Sequence, residues 1–222
     1  MEAAIHQTCP TVYADQLESP ITYDEILMAL RAGARHKAPG IDGLGLEFYT
    51  ENWDTIKSDL KDLLNRMFLH NQVSTQQKHG IVVFLPKSNG DPTPDGYLPI
   101  TLLTTEYKLL SRIMARRLRP IMEEHLRSSQ FCAVPGNTIL DAVATVRDAI
   151  TYAENTETPL CMLTLDFEGT FDRISHHYLF HIFRRYGISH WFIEQIRNLY
   201  DGATASIQIN GTLKGHNPST AR

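Results

Sequence analysis

The spacing of apolar positions changes several times along the chain, and each change predicts an element. Thr22 and Glu25 stand at capping-box spacing with Ile21 and Ile26 flanking them as a hydrophobic staple, which predicts a helix ending near Gly33. Lys37 to Gly45 reads as a loop punctuated by Pro and Gly. From about Glu51 to His70, Ile56, Leu60, Leu63, Leu64 and Met67 recur on one helical face. Gly80 to Lys87 reads as a buried strand, and Ser88 to Pro99, crowded with Pro, Gly, Asp and Asn, as a loop or tight hairpin. A helix follows from about Thr105 to Leu118; Pro120 either kinks it or opens another reaching about Leu126. Residues 138–154 form an amphipathic helix with Ile139, Val143, Val146 and Ile150 facing inward. Leu160 to Phe167 reads as a strand, apolar until Asp166. Ser175 caps a helix ending at Gly187, and Ser189 caps another reaching about Tyr200. Ala203 to Ile209, Asn210-Gly211 and Thr212 onward form a hairpin on a type I′ turn. Residues 1–20 lack clear periodicity and read as a loose lead-in. The irregular alternation predicts an α+β fold, with helices packed on a small, mostly antiparallel sheet.

Composition narrows the classes. The chain has 222 residues, 42% hydrophobic and 21% charged, as in ordinary globular proteins. No apolar run approaches the roughly 20 residues of a membrane span, and the first residues lack a signal-peptide pattern. Cys9, Cys132 and Cys161 are odd in number and far apart, which points to reduced thiols in an intracellular setting, nucleus or cytoplasm. The net charge of -4 gives no general attraction to nucleic acid, so any such contact needs a local basic face.

Two features carry candidate chemistry. In Leu163-Thr164-Leu165-Asp166-Phe167-Glu168-Gly169-Thr170-Phe171-Asp172 an apolar strand ends in a carboxylate, with a second aspartate six residues on. A strand-end carboxylate can hold Mg²⁺, which shares its shell with phosphate and water, as in two-metal phosphoryl transfer; it can equally cap a turn. Lys108, Arg112, Arg116 and Arg119 recur on one side of the predicted 105–118 helix and its extension. They could follow a phosphate backbone or simply form a solvated face. The adjacent His176 and His177 point about 100° apart on a helix and make a poor metal pair.

The order of segments is more specific than either feature. Lys37-Ala38-Pro39-Gly40-Ile41-Asp42-Gly43 with Glu47-Phe48-Tyr49, Phe84-Leu85-Pro86-Lys87 with Tyr97-Leu98-Pro99-Ile100-Thr101-Leu102-Leu103, Tyr107 through Leu118, Gln130 through Asn137, and the run from Asp166 to His176 occur in succession, and Asn210-Gly211 sits at a later hairpin. Over about 22–215 this series resembles the reverse transcriptase domain of non-LTR (LINE-type) retrotransposons. The resemblance implies a right-hand polymerase: a lead-in at 1–20, fingers-like residues 21–158, and a partial palm at 159–222. The implied activity is RNA-directed DNA polymerisation, with an RNA template, a DNA primer, dNTPs and Mg²⁺, and no membrane partner. It implies that Asp166 is the first catalytic metal ligand, with the carbonyl of Phe167 helping to hold the ion. Phe171 falls at the steric gate against a 2′-hydroxyl, beside Gly169 and Thr170 at the nucleotide. Lys87 would neutralise triphosphate charge; read without the resemblance it is an exposed strand-end lysine. Lys108, Arg112, Arg116 and Arg119 would contact template.

Three departures from the family pattern bear on activity. The family's "GVRQGCPLS" segment and the "YADD" hairpin, which supplies the remaining metal-binding aspartates, do not occur in these 222 residues, so the isolated chain is expected to be inactive. Leu98 stands where the family has an arginine gripping the nucleotide phosphates. A lost charge-assisted hydrogen bond of about 1.5–3 kcal/mol corresponds to roughly ten- to a hundred-fold. Gly169-Thr170 replaces the more usual Lys-Ala. The alternative to an enzyme fragment is a non-catalytic RNA- or protein-binding remnant. A decayed reading frame, whose uncovered sheet and apolar face would make it marginally stable or prone to aggregate, is a third possibility.

Overall fold

The computed structural model describes the backbone of residues 11–87, 93–125, 130–132, 134, 136–166 and 173–218. The capping box forms as its spacing predicts. The Thr22 side chain accepts from the Glu25 amide, and the Glu25 carboxylate accepts from the Thr22 amide at 2.9 Å, opening helix α2 (Tyr23–Arg31). Ile21 and Ile26 are both buried beside this start. Asn65, from a later helix, pins Ile21, accepting from its amide at 2.7 Å and donating to its carbonyl at 3.0 Å. The lead-in is not loose throughout: α1 (Thr11–Glu18) forms and buries Leu17.

The helix expected over about 51–70 forms as α4 (Trp53–Leu69), and a short helix not read from the sequence, α3 (Leu46–Glu51), precedes it. Asn52 separates them and bonds back to the Phe48 carbonyl through its side-chain amide. Leu60, Leu64, Met67 and Phe68 of α4 pack into one core with Ile26, Ala29 and Leu30 of α2. The core continues into α5 (Thr105–His125) through Leu109, Leu110, Ile113 and Met114. This helix is unbroken across Pro120. The carbonyl left without its helical donor is that of Arg116, an exposed residue, and buried Ile121 holds the helix beyond the proline.

Four strands, β1 (His79–Pro86), β2 (Tyr97–Leu102), β3 (Thr204–Ile209) and β4 (Thr212–Pro218), form a mixed sheet in the order β2-β1-β3-β4. β1 pairs antiparallel with β2 from Ile81 opposite Leu102 to Pro86 opposite Tyr97, and β3 pairs antiparallel with β4. The central β1–β3 pair is parallel. Pro99, which has no N–H to donate, is accommodated because β2 lies at the edge. Asn210 and Gly211 have φ of 49° and 76°, as the type I′ turn requires. β1 is buried only at His79 and Gly80 and is exposed from Phe84 onward, where it pairs with the exposed start of β2.

Two expectations fail between residues 138 and 166. Helix α6 (Ile139–Asn155) forms, opened by a second capping box between Thr138 and Asp141. Its apolar stripe does not face inward: Ile139 is 75% exposed and Val143 59%, and Val146 and Ile150 are exposed as well. Only Ala153 of α6 is buried. Residues 160–166 form no strand, and Leu160, Met162, Leu163 and Leu165 are exposed. A strand needs a neighbour to complete its hydrogen bonds, and none of the described strands lies beside this segment.

The chain closes back on its first half. Helix α7 (His176–Arg185) buries Phe180, and α8 (His190–Tyr200) buries Phe192, Ile193, Gln195, Ile196 and Leu199. Ser189 caps α8 by accepting from the Phe192 amide. Phe68 of α4 meets Trp191 and Phe192 edge-to-face, so α8 shares the core of the helices before residue 158. Among the described residues no helix is long and apolar enough to cross a membrane.

Candidate nucleic-acid interface

Four basic residues of α5 divide into two pairs. Arg116 and Arg119 are exposed. Lys108 and Arg112 are half-buried and line a cleft of about 140 Å³ with Gly33, Ala34, Lys37, Ala38, Pro39, Gly45, Leu46 and Thr105. The segment 37–45 is locked against the start of α5. Thr105 donates to the Leu44 carbonyl at 2.8 Å. Asp42 accepts from the Leu44 amide at 3.1 Å and tightens the turn. Gly40 has to be glycine, because a Cβ there would lie 2.5 Å from the Thr104 amide nitrogen. The loop therefore lays Lys37 beside the cations of α5.

Electrostatics in this cleft are strained. Burial holds the Lys108 ammonium below the ordinary lysine range; Asp42 opposes that shift, and the charge of Arg112 adds to it. Arg112 spends one nitrogen on the Ala29 carbonyl at 2.7 Å, near the C-terminal end of α2. Glu47 at the far side is engaged with the His36 amide, whose hydrogen bond is the main reason its carboxyl sits below the usual range.

A fourth arginine of α5, Arg117, is structural. It forms a fork on Glu25, at 2.6 Å from Nε and 2.9 Å from Nη2. It also donates to the carbonyls of Leu17, Ser19 and Pro20 and stacks over Phe68 with 5.0 Å to the ring centroid. Burial pushes the Glu25 carboxyl up, but hydrogen bonds from Arg117 and Thr22, with the Arg117 charge, more than offset it and hold it below the usual value. Sequence reasoning did not single out Arg117; the signal was its position one residue off the exposed stripe, on the side of Ile113 and Leu110.

The remaining site residues lie elsewhere. Lys87 follows β1 directly, and its amide donates to the Gly96 carbonyl at 2.8 Å across the hairpin. Leu98 pairs with Leu85 in the same ladder, both side chains exposed. Asp166 lies in the segment 158–166, which has no regular secondary structure, with its side chain exposed. Phe167, Gly169, Thr170 and Phe171 lie outside the described residues. Asp166 offers the hard oxygen donor that a magnesium-like ion takes, but among the described residues no group of three or more His, Cys, Asp or Glu side chains gathers to hold one. His79, buried where β1 meets β3, has Nδ1 at 2.8 Å from the Thr204 hydroxyl and Nε2 at 3.0 Å from that of Ser206. The pairing that creates this contact spans 125 residues and leaves no local signal.

The family profile described as "Reverse transcriptase (RNA-dependent DNA polymerase)" matches residues 85–221, more than half of the chain. The chain belongs to the reverse transcriptase family. The Transposon TX1 uncharacterized 149 kDa protein of Xenopus laevis is 33% identical over 199 residues, covering 90% of this chain and 15% of that protein. A Pol polyprotein from the type-1 retrotransposable element R2 of Popillia japonica is 26% identical over 199 residues, covering 86% and 26%. The probable RNA-directed DNA polymerase from transposon BS of Drosophila melanogaster is 26% identical over 167 residues, covering 71% and 18%. These relatives belong to non-LTR retrotransposons, and this reverse transcriptase segment spans between 15% and 26% of their lengths. Lys87, the α5 cations and Asp166 all fall within the matched residues.

Proposed function

We propose that the chain contributes the fingers (21–158) and the first part of the palm (159–222) of a right-hand polymerase that copies RNA into DNA. The observation that carries this reading is the family match over 85–221, which contains both the exposed carboxylate of Asp166 and the basic side of α5. The substrates on this reading are an RNA template, a DNA primer and dNTPs. A divalent ion, Mg²⁺ by its preference for carboxylate and phosphate oxygens, would be held by Asp166 and the Phe167 carbonyl. When bound, such an ion neutralises charge on a transferring phosphoryl group. The chain's own residues do the rest: the Lys87 ammonium meets triphosphate charge, Phe171 beside Gly169 and Thr170 excludes a 2′-hydroxyl, and Arg116 and Arg119 hold the template backbone.

Asp166 is one carboxylate, and one carboxylate holds divalent metal weakly against water. The 222 residues expressed alone are therefore expected to give no template-directed extension with Mg²⁺ and dNTPs. The same segment within a longer polypeptide that carries the family's further aspartates is expected to extend a primer, and Asp166→Asn in that polypeptide to abolish extension. Undiminished extension by the Asp166→Asn variant would sink the assignment.

A second reading, a binding module without catalysis, draws support from Leu98. An apolar pair with Leu85 occupies the position where the family grips nucleotide phosphate. In the longer polypeptide Leu98→Arg is expected to raise nucleotide affinity roughly tenfold, the value of one charge-assisted hydrogen bond. No gain would remove Leu98 as an explanation for weak nucleotide handling.

A further inference from the structure

We propose that the cleft between the 37–45 loop and α5 is a subsite for one backbone phosphate of a single nucleic-acid strand, with Lys37 as a ligand alongside Lys108 and Arg112. The inference rests on the reading that the basic side of α5 meets template, and it adds a residue, a location and a stoichiometry to that reading.

Three cations line one cleft of about 140 Å³, room enough for a phosphate group. Two of them are costly to keep there. Lys108 is held half-buried beside Arg112, a like charge, with Asp42 the acidic group that acts on it. Arg112 is tethered to the Ala29 carbonyl, which fixes its guanidinium at the cleft wall with N–H groups left to donate. Lys37, on the exposed rim, brings a third charge without burial. An entering oxyanion relieves the repulsion between Lys108 and Arg112 and replaces the hydration that burial removed.

The choice of a strand over a free anion comes from what lies beyond the cleft. Arg116 follows Arg112 by four residues, about 6 Å along a helix, and Arg119 by seven, and both are exposed. A strand seated by one phosphate in the cleft can pass further phosphates over these arginines. A nucleoside triphosphate, with its three phosphates contiguous, is too short to run from the cleft to Arg119, about 10 Å further along the helix.

The test measures binding of a short single-stranded RNA, and separately of dTTP, to the 222-residue chain across a salt series. Variants are Lys37→Gln, Lys108→Gln and the pair Arg116→Gln/Arg119→Gln, each checked for an unchanged melting temperature. Lys37→Gln, at an exposed position, keeps the test sound should Lys108→Gln disturb folding. We expect Lys37→Gln to weaken RNA binding roughly tenfold and to lower the slope of log K against log salt by about one. If the arginine pair weakens RNA binding and Lys37→Gln does not, the cleft is not a subsite while the template reading stands. If Lys37→Gln weakens dTTP and leaves RNA unchanged, the cleft takes nucleotide and the strand proposal is overturned. If no variant alters RNA binding, the template reading of α5 fails with it.

Discussion

Helices α4 and α6 are both 17 residues long and both amphipathic, yet they end up in opposite environments. The stripe of α4, centred on Leu60, Leu64 and Met67, is buried against α2, α5 and α8. The stripe of α6, Ile139, Val143, Val146 and Ile150, is exposed, and it borders an open apolar hollow with Met162 of the strandless segment. A periodic pattern specifies which face of a helix is apolar. It does not specify which other element covers that face, since the covering element is chosen by long-range contacts. Around α4 those contacts come with a polar framework: Asn65 holds Ile21, and Arg117 ties the α1–α2 connection to α5. Around α6 the described hydrogen bonds are local, within its cap and its own turns.

The largest break in the contrast is expected at Arg117. Replacing it with alanine removes an ion pair whose arginine is buried, the donors to the carbonyls of Leu17, Ser19 and Pro20, and the stacking over Phe68. Together these losses are expected to cost about 3–5 kcal/mol, read as a large fall in the urea midpoint. A change comparable to that of an exposed arginine such as Arg116→Ala would show that the framework is incidental. Next in size is a matched pair. Leu64→Ala, at a fully buried position, is expected to cost about 2–5 kcal/mol. Val143→Ala on α6 should stay within about 0.5 kcal/mol. Similar losses at both positions would mean that α6 is covered in solution.

These same places mark how much could be read beforehand. The ends of α2 and α8 were legible because Thr22, Glu25 and Ser189 act on amides within three residues. The β3–β4 turn was legible because Asn210-Gly211 suits positive φ. The short helix α3 was invisible, since its six residues make fewer than two turns and show no period. Leu160 to Phe167 has the composition of a buried strand, but composition cannot supply a ladder partner. At the candidate site the stripe on α5 was correctly placed on one helix. Its division into a half-buried pair and an exposed pair depends on the 37–45 loop, some 70 residues earlier in the chain. Nor could Arg117 be told from its neighbours by residue type: only packing against Glu25 and Phe68 distinguishes a structural arginine from a surface one.

A smaller effect follows from the charge state of Glu25. Its folded carboxyl releases its proton more readily than an unfolded glutamate, whose ordinary value is 4.5. Above that value both states are ionised and the stabilisation is complete. As the pH falls below it, the unfolded chain takes up the proton first, so stability drains away through the folded value. Glu25→Gln should flatten this acid loss in a series of melts between pH 6 and about pH 3; an unchanged profile would assign the loss to other carboxylates.

The smallest expected effect separates the two helices most cleanly, because they start with the same device. Thr22 caps α2 and Thr138 caps α6, each with a reciprocal carboxylate three residues on. The Thr22→Ala change removes an acceptor from a helix whose first turn also holds Arg117 through Glu25. Its cost of about 1 kcal/mol should therefore appear in the global unfolding midpoint. Thr138→Ala removes the same acceptor from a helix with one buried residue. Its loss should appear as faster amide exchange in the first turn of α6, with the global midpoint unmoved, because opening there exposes little that the core does not already leave exposed. If Thr138→Ala instead shifts the global midpoint as far as Thr22→Ala does, then α6 unfolds with the core. Its exposed face would then be coupled to the rest of the molecule by contacts other than those its own cap and turns supply.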